Sequence, residues 1–168
     1  MLDKGLLREL EEYVEKHSIK LNFPVCERVV LSCNFSKCKS VSNNEIEDFI
    51  NNNQKSKFNE VLFSFIDKKG VSDSDVYKKA GIDRRHFSKI RSNCDYKPGK
   101  NTVIALAIAL ELDKKEMNEL LSAAGFSLSS NDTLDLVIQF FLEKKMYDID
   151  NINQALDYFS LKPLTGIW

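Results

Sequence analysis

The sequence predicts an all-α protein. Apolar residues recur at i, i+3, i+4 and i+7 in segment after segment, the spacing of one buried helical face. Ser, Asp or Asn stands where these segments begin and Gly where several of them end, as helix caps require. Alternating apolar and polar stretches are too few to build a substantial sheet. The chain has 168 residues, of which 43% are hydrophobic and 29% charged, a globular composition.

The first segment, about residues 2–17, places Leu2, Leu6, Leu10 and Tyr13 on one face and Arg8, Glu9, Glu12 and Lys16 on the other. Two readings stand: a helix packed on the main domain, or one that docks a partner or a second copy. Residues 18–44 show no sustained period. Phe23-Pro24 marks extended chain, Cys26 to Leu31 reads as a short strand, and Ser36 to Asn44 as loop. Glu45 to Asn51 reads as a short helix, and Asn51 to Lys57 as a polar linker. These features divide the chain into an N-terminal helix and linker region, 1–57, a main domain, 58–126, and a C-terminal helical extension, 127–168, packed on that domain.

Within the main domain, Phe58, Val61, Leu62, Phe65 and Ile66 form one helical face that ends at Gly70. Ser72 starts a second helix, with Asp75 at capping-box spacing. Val76 and Ala80 point inward, Gly81 breaks the helix, and Ile82 fills the corner. Asp83 caps a third helix, Arg84 to Arg91, with Phe87 and Ile90 inward. After a loop containing Pro98-Gly99 comes TVIALAIALEL, apolar nearly all round and therefore central. Asp113 begins the next helix, with Met117, Leu120, Leu121 and Ala124 inward, and Gly125 and Phe126 close it in the manner of a Schellman motif. Two helices follow. The first is capped by Asn131 or Asp132, with Leu134, Val137, Ile138, Phe141 and Leu142 inward. The second is capped by Asp150, with Ile152, Ala155, Leu156 and Phe159 inward. Trp168 is expected to pack on the body.

The longest apolar run, Val103 to Leu110, is far too short to span a membrane, and the N-terminus carries acids where a leader would be apolar. A soluble, cytoplasmic protein with no membrane partner is the expectation. In that setting Cys26, Cys33, Cys38 and Cys94 are free thiols, and their spacing lacks the paired sets of a zinc site. No phosphate-cradling glycine loop, metalloprotease string or nucleophile–base arrangement occurs. The expectation is that the chain is not an enzyme and needs neither cofactor nor metal.

Net charge is −1, but it is unevenly placed. Residues 78–100 hold eight basic side chains and two acids, while 1–77 and 101–168 are both net acidic. One basic island in an acidic chain is the electrostatic footprint of a polyanion contact. It lies on a helix, glycine turn, helix unit, in which the second helix can enter a major groove.

The strings GVSDSDVYKKAGIDRRHFSKIR and KPGKNTVIALAIALELDKKEMNELL, and with them residues 58–126 as a whole, resemble the Cro/C1-type (XRE-class) helix-turn-helix domain of bacterial and phage regulators. The wider layout, with its LLRELEEYVEKH start and helical tail, also resembles a group associated with regulation or phage-defence gene clusters. The resemblance implies five helices over 58–126 and a sequence-specific DNA-binding transcriptional regulator. It places base contacts on Arg84, Arg85, Ser88 and Lys89, because Arg reads guanine through two parallel hydrogen bonds. Phosphate contacts fall to Lys78, Lys79, Lys97 and Lys100. A dimer through the N-terminal or C-terminal helices follows, since one such domain reads one half-site. Arg91, near the end of its helix, is placed to favour the helix dipole, and His86 is a half-exposed side chain at the groove face. One departure stands out. Many members carry a phosphate-binding Gln where this chain has Asp73, closely followed by Asp75. Carboxylates there oppose a phosphate and keep alternatives open: RNA, or an adaptor or antitoxin-like module that binds a protein partner.

Overall fold

A computed structural model describes residues 3–18, 43–53 and 56–165, and the described residues form helices and no strand. The helices are α1 (Lys4–His17), α2 (Asn43–Asn53), α3 (Phe58–Lys69), α4 (Asp73–Lys79), α5 (Arg84–Ser92), α6 (Lys100–Ala109), α7 (Lys114–Ala124), α8 (Thr133–Glu143) and α9 (Ile149–Tyr158). None of them is long and apolar enough to cross a membrane. The chain divides into two compact units, one of residues 1–19 with 56–168, the other of residues 20–55. The second unit contributes α2, whose Ile46 and Phe49 are exposed. This helix runs from Asn43 to Asn53, longer at both ends than its apolar residues suggest. The candidate strand at Cys26 to Leu31, the cysteines 26, 33 and 38, and Trp168 lie outside the described residues.

The larger unit is built around α6. Val103 through Ala109 are all buried, and α6 meets α4, α7 and α9. Alternating alanines (Ala105, Ala107, Ala109) let these neighbours approach, while Ile104, Leu106 and Ile108 fill the space between them. Helix α3 packs on α7, α7 on α8, and α8 on α9. Helix α1 lies along α8 and puts Leu10, 1% exposed, into the common core. Helix α1 thus packs on its own chain, with Leu10 buried and Leu6, Leu7, Tyr13 and Val14 half-buried. Tyr13 completes this seam. Its ring sits edge-on to Phe140, 5.4 Å away, and burial, with Glu143 beside its hydroxyl, pushes the phenol up to about 12.

The caps follow from the sequence with one correction. Asp113 accepts from the backbone N–H of Lys115 and Glu116 at 2.8 and 2.9 Å, and Glu116 accepts from Asp113 N–H in return, a complete capping box. Asp132, not Asn131, caps α8. The last helix is capped by Asp148 rather than Asp150, because Asp148 Oδ1 takes the Asp150 and Asn151 N–H groups. Helices α3, α4, α6, α7, α8 and α9 all end the same way. A residue with positive φ is followed by an apolar one whose N–H returns five residues, as in Ile82 to Tyr77 and Phe126 to Leu121. Glycines 70, 81 and 125 fill three of these positions, and Glu111, Lys145 and Ser160 the others.

Candidate nucleic-acid interface

Two helices and a glycine position the candidate surface. Ser72 caps α4 by accepting from Asp75 N–H at 3.2 Å, and its hydroxyl donates to the Asp75 carboxylate at 2.6 Å. Val76 and Ala80 bury the inner face of α4 against α6. Gly81, φ 65°, turns the chain in the left-handed region that glycine reaches without a Cβ clash. Asp83 then caps α5, accepting from Arg85 N–H at 2.6 Å. Phe87 (3% exposed) and Ile90 (0%) hold α5 to the body. Phe87 is the hub, meeting Phe63 edge-on at 6.2 Å and Tyr77 at 5.8 Å.

With Phe87 and Ile90 inward, helical geometry decides which side chains face out. At about 100° per residue, Arg84, Ser88, Ser92, Arg85 and Lys89 occupy one outward arc of about 140°, and all five are exposed. Arg84 and Arg85 carry no ion pair among the described residues. Lys89 is placed differently: its ammonium sits over the Tyr96 ring, 4.2 Å from the centroid. The Tyr96 hydroxyl in turn meets His86 Nε2 at 3.2 Å.

Asp73 is the carboxylate that conflicts with a phosphate, and it pairs with the Arg91 guanidinium, which also lies 5.1 Å from the Phe63 ring centroid. Arg91 thus ties the end of α5 to the start of α4 instead of only facing its own helix dipole. Asp75 is occupied by Ser72. Of the two acids that argue against a phosphate, Asp73 is neutralised by Arg91, while Asp75 accepts only from a neutral hydroxyl and keeps its charge.

The four lysines expected at phosphates separate into two pairs. Lys78 and Lys97 are exposed and carry no ion pair among the described residues. Lys79 binds Glu111 at 2.5 Å and holds that carboxyl below its ordinary range. Lys100 departs furthest from expectation. Its ammonium is 2.6 Å from Asp135 Oδ2, and Asp135 has no exposed surface. Lys100 belongs to an internal ion pair because a buried carboxylate needs a counter-ion.

The loop between α5 and α6 is also fixed. Asp95 pairs with Lys57 at 2.9 Å, and the mutual attraction lowers the Asp95 carboxyl and raises the Lys57 ammonium. Asn93 accepts from Asp95 N–H and Pro98 is buried. The sequence reading misses Tyr96, for which neither spacing nor motif gives a signal. Cys94 is an exposed free thiol, and no group of three or more metal-ligating side chains comes together among the described residues. Comparison with protein-family models, curated proteins and solved structures finds no match to this chain.

Proposed function

We propose that this chain is a sequence-specific DNA-binding transcriptional regulator of the Cro/C1 type, with α3 to α7 as its five-helix domain and α5 as the reading helix. The observation that carries the proposal is the outward arc of α5, on which Arg84, Arg85 and Ser88 stand exposed while Arg91 neutralises Asp73 beside them. An arginine at the first turn of a groove-entering helix reaches guanine O6 and N7, a contact worth roughly 1–3 kcal/mol of discrimination. Lys78 and Lys97 supply phosphate contacts at the edges of the same surface, giving affinity that falls with salt. One such unit reads one half-site, so the reading includes a dimer. Its contacts would come from the N-terminal or the C-terminal helices.

The test is binding of the full chain to duplex DNA from its own upstream region, measured at two salt concentrations. Arg84→Ala and Arg85→Ala are each expected to weaken binding to that duplex by roughly 5- to 150-fold, from the roughly 1–3 kcal/mol above. Their effect on a scrambled duplex should be much smaller. Specific binding that survives both substitutions unchanged overturns the assignment. RNA or an acidic protein would meet the same cations, and preference for one duplex sequence separates DNA from both.

A further inference from the structure

Lys89 differs from its neighbours on α5. It stands at the edge of the outward arc, about 70° round the helix from the arc's middle and ~7.5 Å along the axis from Arg84. Its ammonium does not extend freely but lies over the Tyr96 ring at 4.2 Å. Tyr96 is itself held. It is half-buried, its hydroxyl pairs with His86 Nε2, its ring meets the His86 ring edge-on at 5.9 Å, and its N–H returns to Asn93 O at 3.1 Å. The Asp95–Lys57 pair next to it anchors the loop to the start of α3. A ring fixed from several sides, with a cation over its face, restrains where that cation can go.

We infer that Tyr96 is a positioning residue that holds Lys89 on the flank of the reading helix, as a backbone contact to duplex DNA rather than a base reader. This rests on the proposed DNA-binding reading and divides the basic face in two: Arg84, Arg85 and Ser88 choose sequence, and Lys89 grips the phosphate chain beside them. A single ammonium suits that work, because it acts as a point charge and lacks the planar fork that reads guanine. Tyr96 keeps it from swinging toward the groove floor.

The experiment uses the full chain with two labelled duplexes, its own upstream sequence and a scrambled duplex of equal length and composition, across a salt series. Lys89→Ala is expected to weaken both by the same factor, leave their ratio unchanged, and lower the slope of log K against log salt by about 0.9, the value of one lost phosphate contact. Arg84→Ala should instead change the ratio. Tyr96→Leu, checked for folding by circular dichroism, frees the ammonium and should lower the slope partway. Tyr96→Phe keeps the ring and should keep the wild-type slope. A tenfold or larger change in the ratio with Lys89→Ala makes Lys89 a base reader and overturns the inference. A wild-type slope in a folded Tyr96→Leu overturns the role of Tyr96. If Arg84→Ala changes the ratio while Lys89→Ala leaves both affinities unaltered, the inference fails and the DNA reading stands. A wild-type chain that binds neither duplex overturns both.

Discussion

The Lys100–Asp135 pair is the interaction whose disruption the structure prices most sharply. Asp135 is fully buried on α8. Its Oδ2 receives Lys100 Nζ at 2.6 Å and Ser129 N–H at 2.7 Å, while Oδ1 has no partner among the described residues. Lys100, at the start of α6, keeps 26% of its side chain exposed. The two ends of the bond are therefore unequal. Lys100→Met strands a buried carboxylate with one hydrogen bond, at a cost of about 3–5 kcal/mol. For a chain of this size that is a fall in Tm of roughly 6–20 °C, at about 2–4 °C per kcal/mol. Asp135→Asn keeps the acceptor for Ser129, and the released ammonium can follow its stem to water, so about 1–2 kcal/mol is expected. Lys114→Met is the control. Its pair with Glu143 at 3.2 Å is about half exposed on both sides, and such pairs contribute less than about 1 kcal/mol. Urea unfolding of the three variants, followed by far-ultraviolet circular dichroism, gives the order directly. If Lys100→Met costs no more than Asp135→Asn, or no more than the Lys114→Met control, the burial argument is refuted.

Three further predictions concern the frame of the candidate surface and its stability. Phe87→Ala removes the ring shared by Phe63 and Tyr77 and should cost about 3–5 kcal/mol in the same unfolding assay. Lys145→Gly should stabilise, because an exposed lysine at φ 56° occupies the left-handed region at a cost of about 1–2 kcal/mol, partly offset by the greater freedom of glycine in the unfolded chain; a lowered Tm would contradict it. Glu116 should contribute to acid sensitivity, as its carboxyl is held below its ordinary 4.5 first by the Lys68 ammonium and then by the Asp113 N–H. A depressed folded pKa gives stability that is complete above 4.5 and lost as pH falls through the folded value. Glu116→Gln should thus be less stable at neutral pH and show a flatter acid limb in a pH series of melts; an unchanged limb would exclude this residue.

The local rules of the chain were written plainly in its residues. The 3, 4, 7 spacing of Phe58, Val61, Leu62 and Phe65 can be satisfied only by a helix with one buried side, and α3 is that helix. Ser72, Asp83 and Asp113 cap because their short oxygens reach the free N–H groups of the next turn, which depends on nothing distant. Gly70, Gly81 and Gly125 mark left-handed ends for the same local reason. The left-handed Glu111, Lys145 and Ser160 were not legible, since no side chain there announces positive φ. The apolar residues after them (Leu112, Met146 and Leu161) pack into the core and draw the backbone through it.

The candidate site divides along the same line. That Arg84, Arg85 and Ser88 share the outward side of α5 follows from periodicity once Phe87 and Ile90 are buried. Which charges remain available does not follow from it. Lys79 and Glu111 are 32 residues apart, and Lys100 and Asp135 are 35 apart, so only the packing of α4 and α6 with their neighbours brings each pair together. The same holds for Arg91 and Asp73, which meet because the Gly81 turn folds α5 back across α4, and for Lys89 over Tyr96. Sequence by itself determined the helices of the main unit, the caps at Ser72, Asp83 and Asp113 and the position of the basic island, because these depend on neighbours within a turn. Tertiary structure alone decided which of those cations stand free, because an ion pair depends on distance in space, and burial sets how strongly each charge needs its partner.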